Sequence, residues 1–324
     1  KYKNHKIVLV ANSSYKSLFE HYDKDYVNEV IWLNKKDYNR NLRYRYRILQ
    51  SIRQSGCDEL INFIISRSIP LDDGMAFVAP ARHKTAMFSD KANRWKYALN
   101  LDSHIYTQLI DAGGVDVFDS IRNSNYLKQI LQCGSVTIDT HFSPCTPRPI
   151  TNKIGIFLGA GNPERNWPVS SFLEATEYLC KKYGFEVYVF GGPPDVATSE
   201  EYIKEFTGKA TNYAGKLSLV AFAEKLSEVR FMICVDTGPL HMAIAACCPV
   251  IGLFSGKYYK RYSPYPKEVT RTMFPIYPDF ADKLIAANDA VLYDYFAMKN
   301  NTIHLIPAQK VIAEIEQQIA ASAL

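Results

Sequence analysis

Short apolar segments alternate with amphipathic segments through the second half of the chain. Four of the apolar segments are too short for ordinary helices and are bounded by turn-forming residues, which is typical of buried strands. They are "KIGIFLG" (153–159), "FEVYVFGG" (185–192), "RFMICVD" (230–236) and "PVIGLF" (249–254). Strands that alternate with helices predict a parallel sheet covered by helices on both faces. The second half is therefore predicted to be an α/β domain.

Helices are predicted between these strands. The first begins near Ser170, where Ser171 and Glu174 have the spacing of a capping box. Gly208 is suited to end the second, because glycine adopts the left-handed conformation that closes many helices. The other predicted helices cover about 217–229 and 239–247.

The first half shows the same alternation less regularly. Strands are predicted at 6–11, 29–33, 59–65 and 77–81, with helices between them. The proline-rich "SPCTPRP" (143–149) predicts a linker, because proline interrupts both helices and strands. A chain of 324 residues has room for two domains. We place them at residues 1–148 and 149–324.

Positive charge is concentrated in the first half. Residues 1–150 contain 21 Lys and Arg against 15 Asp and Glu, whereas the remainder contains 17 against 18. The stretch "RNLRYRYRILQSIR" (40–53) has five arginines and no acidic residue. It is either a solvated amphipathic helix or a basic surface that attracts an anionic partner. No nucleic-acid-binding motif accompanies it, so nucleic acid is not predicted, whereas peripheral contact with anionic lipid stays open.

The cysteines and acidic motifs predict neither a metal site nor a cofactor. Seven cysteines occur without a CxxC pair, and several lie in apolar runs, so buried thiols in a reducing cytosol are the simplest interpretation. "DKD" (23–25) has the spacing of a metal-binding Asp-x-Asp, but it lies in a polar stretch before a strand. No apolar run approaches the roughly 18 residues of a membrane-spanning helix.

The segment "CVDTGPLHMAIA" (234–245) joins a predicted strand to a predicted helix. Ligands of open parallel sheets bind beyond the carboxyl ends of the strands. Thr237 is placed to cap the helix, and Gly238 allows a ligand to approach the backbone closely. We expect free N–H groups near Leu240 and His241, which with the helix dipole predict an anion site.

Two further strand ends have similar features. "LGAGNPERNWP" (158–168) brings glycines and Arg165, whose guanidinium suits a phosphate, and Gly191-Gly192 follows the next strand. Each feature alone is common in turns, helix caps or surfaces, and Trp167 is expected to be structural. Three such ends on one sheet indicate a phosphorylated or nucleotide ligand.

Two motifs resemble those of a known family. "GNPERNWPVSSFLEATEYL" is similar to the Lys/Arg-x-Trp-Pro segment of family 9 glycosyltransferases, the ADP-heptose:lipopolysaccharide heptosyltransferases, and "DTGPLHMAIAACCPVIGLFSG" is similar to their Asp-Thr-Gly-x-x-His signature. With "GG" and "GKLSL" between them, these motifs cover the whole second half. The resemblance implies a GT-B fold, in which two Rossmann-like domains with parallel sheets face each other across a cleft. The first domain would bind the acceptor and the second the nucleotide sugar.

The resemblance also implies roles for individual residues. Arg165 occupies the place of a phosphate-binding lysine, and Ala160 and Gly161 would line the diphosphate loop. Leu217 would lie near the adenine, and Asp195 is a weaker candidate for the ribose hydroxyls. The residues expected at the donor's phosphates and sugar, or close by, are Asp236, Thr237, Gly238, Leu240 and His241.

The resemblance implies no catalytic base within this chain. In the family, the base is an aspartate in a Gly-Asp loop after the first strand, and residues 1–324 open at what resembles the second strand. The resemblance implies an inverting transfer of a heptose, or a related sugar, from an ADP-sugar to a lipopolysaccharide core at the cytoplasmic face of the membrane. A helix N-terminus and Arg165 would stabilise the leaving phosphate without a metal. The basic first half suggests that the acceptor is anionic. The chemistry resembles glycoside cleavage, with an oxocarbenium-like transition state.

Other classes of function stay open at this stage. One is a non-catalytic binder of sugar nucleotides, and another is a different nucleotide-sugar enzyme such as an epimerase. An NAD-dependent dehydrogenase is disfavoured, because "GAG" (159–161) lacks the third glycine of a dinucleotide-binding fingerprint.

Overall fold

The computed structural model divides the chain into two compact units, Lys1–Ile138 and Asp139–Leu324. It describes residues 2, 4–90, 93, 101–137, 139–143, 145, 150–256, 259–287, 302–321 and 324. The boundary between the units precedes the predicted linker 143–149, most of which lies outside the described residues. Which unit binds the donor and which the acceptor stays a prediction.

The first unit contains parallel strands in two separate sheets. One sheet pairs the first two strands, and the other joins the next three in sequence order. The strands described are β1 (Val8–Asn12), β2 (Glu29–Leu33), β3 (Glu59–Asn62), β4 (His83–Met87) and β5 (Gln108–Ile110). The helices described are α1 (Lys16–Tyr22), α2 (Lys35–Arg40), α3 (Leu42–Gln54), α4 (Gly74–Val78), α5 (Asp102–Ile105) and α6 (Asp119–Leu131).

The arginine-rich stretch forms α3. Asn41 caps this helix, since its side-chain oxygen accepts a hydrogen bond from Tyr44 N at 3.0 Å. Ile48 and Ile52 are buried one turn apart on the inner face. The prediction of an amphipathic helix is therefore confirmed, and most of its arginines lie on the exposed face.

The strand predicted at 77–81 is wrong. Residues up to Val78 belong to α4, and the strand of this region is β4, which begins at His83. β4 starts with two polar residues, His83 and Lys84, so it lacks the apolar run that marks a strand in sequence. β5 was not predicted because it has only three residues.

The second unit contains one six-stranded parallel sheet in the order β11-β10-β9-β6-β7-β8. Its strands are β6 (Lys153–Phe157), β7 (Glu186–Phe190), β8 (Ala210–Asn212), β9 (Met232–Val235), β10 (Val250–Leu253) and β11 (Met273–Ile276). The helices described are α7 (Val169–Tyr183), α8 (Val196–Glu205), α9 (Leu219–Lys225), α10 (Gly238–Ala245), α11 (Asp279–Ala287) and α12 (Ala308–Ala320). The predicted parallel sheet is confirmed, while β8 and β11 were not foreseen.

Apolar side chains cover both faces of this sheet. On one face Ile156 and Ile233 pack with Phe172 of α7 and residues of α12. On the other face Phe157 and Cys234 pack with residues of α9 and α10. Burial on both faces explains why these strands read as continuous apolar runs. The same packing fixes the positions of the strands' carboxyl ends relative to one another.

Helix boundaries differ from the prediction at several ends. α7 begins at Val169, and its N-cap Pro168 has no side-chain bond to the described residues, so the capping box at Ser171 and Glu174 is wrong. α8 ends at Glu205 rather than at Gly208.

Trp167 has the structural role expected of it. Its side chain is 1% exposed, and its indole N–H donates to the backbone oxygen of Ile306 at 2.9 Å. The indole packs edge-on against Phe172 at the start of α7. It therefore fixes the loop that precedes this helix.

The cysteines are only partly the thiols that the sequence predicts. Cys234 and Cys248 are buried and lie outside the disulfide, in line with their apolar surroundings. Cys145 and Cys247 instead form a disulfide across 102 residues, so the expectation of thiols is wrong for this pair. Their distant positions in sequence gave no signal of this contact. Among the described residues, no helix is long and apolar enough to cross a membrane.

Candidate functional site

The predicted strand ends meet at one edge of the second unit's sheet. β9 lies next to β6, and β6 lies next to β7, all parallel. Their carboxyl ends therefore lie side by side and lead into Asp236, Gly159 and Gly191. Gly191 and Asp236 are partly exposed there, whereas Gly159 is buried. Ligands of open parallel sheets bind at such an edge.

Arg165 reaches across to the end of β9. Its Nη2 donates to the backbone oxygen of Asp236, and the same nitrogen lies 3.9 Å from Asp236 Oδ2. The arginine side chain is 44% exposed, whereas that of Asp236 is only 16% exposed. The guanidinium is thus held by the strand end while part of it faces solvent. This leaves N–H groups for an anionic ligand.

His241 lies on the other side of Asp236. Its Nε2 is 4.0 Å from Asp236 Oδ1, and its Nδ1 is 2.7 Å from the hydroxyl of Tyr265. Tyr265 was missed by the sequence analysis. It lies between β10 and β11, 24 residues beyond His241, and no motif spacing marks it.

Burial dominates the electrostatics of this group. It raises the pKa of the Asp236 carboxyl, although His241 and Arg165 oppose that rise. Burial also lowers the pKa of the His241 imidazole, against the opposing effect of Asp236. The imidazole is therefore mainly neutral at pH 7. A negative ligand near it would raise its pKa and favour uptake of a proton.

The N-terminus of α10 differs from the prediction in two respects. Thr237 occupies the N-cap position, but its hydroxyl donates to Val235 O at 3.3 Å and caps no described N–H group. The N–H of Leu240 donates to Thr237 O at 3.0 Å, so it is not free. The side chain of Leu240 is fully buried in the core. The expectation of a free N–H at Leu240 is therefore wrong, because the first helical turn uses it. A position of Leu240 near the donor stays a prediction.

Gly238 remains open to a ligand. No described atom lies within 4 Å of a Cβ built at this position. Its backbone is also exposed. Packing therefore does not require the glycine, whereas close approach of a ligand would use it.

The loop after β6 has a similar opening. Gly161 has φ +65° and open space around its missing Cβ, while Ala160 packs partly against the core. A positive φ is a conformation that glycine adopts without strain. Arg165 N donates to Asn162 O at 2.9 Å and closes the turn that presents its side chain.

Asp195 is locked against the same edge. Its Oδ2 accepts a hydrogen bond from Gly192 N at 2.8 Å. Its Oδ1 occupies the space that a Cβ at Gly159 would fill. Gly159 is therefore required for the carboxylate to sit between the ends of β6 and β7.

Comparison with known proteins identifies the relatives of this chain. The model of "Glycosyltransferase family 9 (heptosyltransferase)" matches residues 76–283, which is more than half of the chain. This chain belongs to glycosyltransferase family 9. No curated protein sequence matches it. Family membership makes this protein a glycosyltransferase.

Solved structures share its fold over nearly the whole chain. It is similar to a family 9 glycosyl transferase from Veillonella parvula DSM 2008, with a TM-score of 0.70, 17% identity, and coverage of 98% of this chain and 89% of that one. It is also similar to E. coli heptosyltransferase WaaC with ADP-2-deoxy-2-fluoro heptose, with a TM-score of 0.68, 14% identity, and coverage of 98% and 91%. The E. coli ADP-heptose lps heptosyltransferase II gives a TM-score of 0.58 at 17% identity and coverage of 100% and 92%. The GT-B fold class is confirmed.

The structure also describes the residue predicted near the adenine and the motif with metal-binding spacing. Leu217 is partly buried against the apolar cluster that contains Phe190. Asp23 and Asp25 are exposed at the N-cap and within a short 3-10 helix, and no third metal-ligating side chain joins them among the described residues. The motif spacing of "DKD" therefore has no matching metal cluster in the described part of the chain.

Proposed function

We propose that this family 9 glycosyltransferase transfers a heptose, or a closely related sugar, from an ADP-sugar to an acidic lipopolysaccharide core at the cytoplasmic face of the membrane. The transfer inverts the anomeric carbon and needs no metal ion. The observation that carries the proposal is the group of Arg165, Asp236 and His241 at the N-terminus of α10, in a chain of this family. The similar WaaC structure contains an ADP-heptose analogue, which supports the choice of donor.

The donor's diphosphate is assigned to the edge between Arg165 and α10. The exposed part of the guanidinium supplies hydrogen bonds to phosphate oxygens. The N-terminus of α10 supplies a positive dipole end, and open space beside Gly238 lets the phosphates approach the backbone. Together these groups stabilise the charge that develops on the leaving diphosphate.

The rest of the donor is assigned to the neighbouring strand ends. The open backbone at Gly161, next to Ala160, lines the diphosphate, and the Asp195 carboxylate accepts hydrogen bonds from the ribose hydroxyls. Leu217 provides an apolar contact for the adenine. Thr237 and His241 face the sugar and its phosphate.

The transfer step is a single displacement. The acceptor hydroxyl forms a bond to the anomeric carbon on the face opposite the diphosphate, while the bond from that carbon to the phosphate oxygen breaks. The transition state has oxocarbenium character, and a general base takes the proton of the hydroxyl. We assign that base to no residue of this chain.

The acceptor is assigned to the basic first unit. Arg43 and Arg47 of α3 are exposed, as are Lys35, Lys36 and Arg40 of the preceding helix α2. Among residues 34–57 only Asp37 is acidic. A phosphorylated or carboxylated core lipid complements this charge.

Product analysis tests the proposed function. The protein is mixed with ADP-heptose and a heptose-deficient lipopolysaccharide core, and free ADP and glycosylated lipid are measured together. We expect equal amounts of both, with inverted anomeric configuration by NMR. ADP-sugar binding without turnover would favour a non-catalytic binder. An isomerised sugar without acceptor dependence would favour an epimerase.

A second experiment tests independence from metal. The protein with its Cys145–Cys247 disulfide intact is assayed in two conditions. One contains excess EDTA, and the other contains Mg²⁺ or Mn²⁺ and no EDTA. We expect rates that agree within about twofold, because Arg165 and α10 supply the charge stabilisation that a metal would otherwise provide. A rate that rises tenfold or more with Mg²⁺ or Mn²⁺ would contradict this part of the proposal.

A further inference from the structure

A second group of reactive side chains lies just beyond the other end of α10. His141, Cys145 and Cys247 each offer one ligand atom, and these atoms all lie within 4.8 Å of one another. Cys145 and Cys247 are joined as a disulfide in this structure. None of the three side chains has a role in the proposed transfer.

The backbone brings this group together. Phe142 N donates to Ala245 O at 2.8 Å, which ties residues 139–143 to the last turn of α10. Cys247 follows two residues later with φ +57°. Glycine adopts this conformation at little cost, whereas a cysteine adopts it under strain. The backbone gains nothing from a cysteine there, so a role of its sulfur would explain the residue.

His141 is oriented by a neighbouring carboxylate. Its Nδ1 lies 2.9 Å from Asp139 Oδ1, and its backbone N–H donates to the same oxygen at 2.9 Å. Metal-binding histidines commonly carry a carboxylate on one ring nitrogen, which fixes the ring and leaves the other nitrogen for the metal. In this arrangement Nε2 of His141 is the nitrogen left for a cation.

We propose that the reduced chain binds a thiophilic divalent cation, with zinc the best fit, through Cys145, Cys247 and His141. Two thiolates and an imidazole are ligands that zinc prefers, and a water molecule would complete a tetrahedral site. Two ligand atoms of one tetrahedral zinc ion are roughly 3.3–3.8 Å apart. The observed grouping within 4.8 Å therefore needs only small side-chain movements.

Formation of the site couples a redox step to metal binding. A phosphine or dithiol reductant supplies two electrons, the S–S bond breaks, and two protons are taken up to give two thiols. The cation then binds both sulfurs as thiolates and releases these two protons to solvent. A reducing cytosol keeps such cysteines in the thiol form. The oxidised pair cannot supply thiolates, so the metal and the disulfide exclude each other.

The bound cation would have a structural role. α10 has eight residues, about 12 Å of helix, between the proposed donor site and this cluster. The cation would hold His141 and Cys145 to the end of α10 without touching the donor. The proposal is independent of the proposed donor and acceptor.

Cobalt(II) provides a direct probe of this site. The protein is reduced with a phosphine, desalted without oxygen and titrated with Co²⁺. We expect one high-affinity Co²⁺ per chain, with thiolate-to-cobalt charge-transfer absorption in the near ultraviolet, and displacement of the cobalt by Zn²⁺. The oxidised protein should show no such absorption.

Matched variants distinguish this site from other thiols. Cys247→Gly suits the positive φ, so it should fold at least as well as the wild type while losing the charge-transfer band. Cys133→Ser removes an exposed free cysteine and should leave the titration unchanged. Asp139→Asn should weaken Co²⁺ binding about 10- to 100-fold through the orientation of His141, with the band retained at saturation.

The result that overturns the proposal is equally direct. A reduced chain that binds no cobalt, whether folded or unfolded by circular dichroism, would exclude the site. So would a band that survives Cys247→Gly or disappears with Cys133→Ser. Either outcome leaves the proposed glycosyl transfer untouched, because the measurement does not involve activity.

Discussion

The two units of this glycosyltransferase bury their sheets to very different extents. Every residue of β9 and β10 is buried, within one continuous sheet of six strands. In the first unit the strands form sheets of two and three, and Leu9 and Val10 of β1 are 36% and 38% exposed. Parallel strands are usually covered on both faces. The second unit follows this rule, and β1 departs from it.

The difference extends to what holds each unit together. The second unit has apolar clusters on both faces of its sheet. The first unit has smaller apolar clusters and a buried polar centre, in which Arg67 pairs with Asp73 and Asp102 at 3.0 and 2.7 Å. Apolar packing tolerates small changes, whereas a buried ion pair is destabilised strongly by loss of one partner. The proposed donor site therefore belongs to the unit whose sheet is more extensively packed.

Loss of Arg67 should have the most different effects on the two units. Arg67→Ala leaves two buried carboxylates without their cation, so we expect the first unit to lose about 3–5 kcal/mol of stability. ADP affinity should stay within about twofold of the wild type, since the proposed donor residues all lie in the second unit. Denaturant unfolding followed by circular dichroism, with calorimetric titration of ADP, measures both quantities. If the second unit remains folded and ADP binding is nevertheless lost, the assignment of the donor to the second unit is contradicted.

Trp167→Ala is the matching test in the second unit. It removes a fully buried indole and leaves Ile306 O without its donor, so we expect a loss of about 3–5 kcal/mol. ADP affinity should fall as well, because Trp167 fixes the loop that presents Arg165. Trp32→Ala, at a half-buried position in β2, is the control and should leave ADP binding unchanged. Equal effects of the two tryptophans on ADP affinity would contradict the assignment of the donor to the second unit.

Arg165→Ala should weaken ADP binding by about 1.5–3 kcal/mol, the range for a hydrogen bond to a charged group. That corresponds to roughly 10- to 150-fold in the dissociation constant, measured by calorimetry. Arg165→Lys should restore part of the affinity because it keeps the charge but loses the bidentate geometry. Arg43→Ala, an exposed arginine of the first unit, is the matched control. An unchanged ADP affinity in Arg165→Ala would rule out its phosphate role.

Charge reversal on α3 tests whether the basic first unit binds the acceptor. We expect Arg47→Glu to raise the acceptor KM by at least about fivefold, since each basic residue near an anionic lipid surface contributes about 1 kcal/mol. The wild-type acceptor KM should also rise with salt, because exposed charges are screened within about 10 Å at 0.1 M. The ADP-sugar KM should stay unchanged. An acceptor KM that is independent of both salt and this substitution would oppose the basic-surface assignment.

The smallest expected effect is a pH dependence of ADP binding. Burial lowers the pKa of His241 in the free protein, and the diphosphate should raise it on binding. Proton uptake then accompanies binding, so affinity should increase by severalfold as pH falls from 8 to 6. The glutamine of His241→Gln has a similar size but does not titrate. Once the titration of the ADP phosphates is subtracted, we expect this variant to bind ADP with an affinity independent of pH. Identical profiles for both proteins would remove His241 from the phosphate site.

Sequence patterns predicted the second unit better than the first. β6, β7, β9 and β10 are apolar runs because both of their faces are buried, so local composition is enough to find them. β4 begins with His83 and Lys84 and was placed six residues too early. Short edge strands such as β8 carry too few residues for a pattern to form.

The candidate site shows the same division. Asp236, Thr237, Gly238 and His241 are consecutive or nearly so, and their motif alone placed them at a strand end that the structure confirms. Leu240 stands in the same motif, but the core takes its side chain and the first helical turn takes its N–H. Residue type and spacing could not show which residues of the motif are exposed at the strand end and which are buried in the core.

The sequence by itself determined the α/β class, the family motifs and the strand end that leads into α10, because these depend on residues close together along the chain. Only the tertiary structure decided which distant side chains meet. Arg165 contacts Asp236 across 71 residues, and Cys145 meets Cys247 across 102. Such contacts depend on strand order and on the packing of helices over the sheet. These are set by the burial of the whole unit and leave no periodic trace in local sequence.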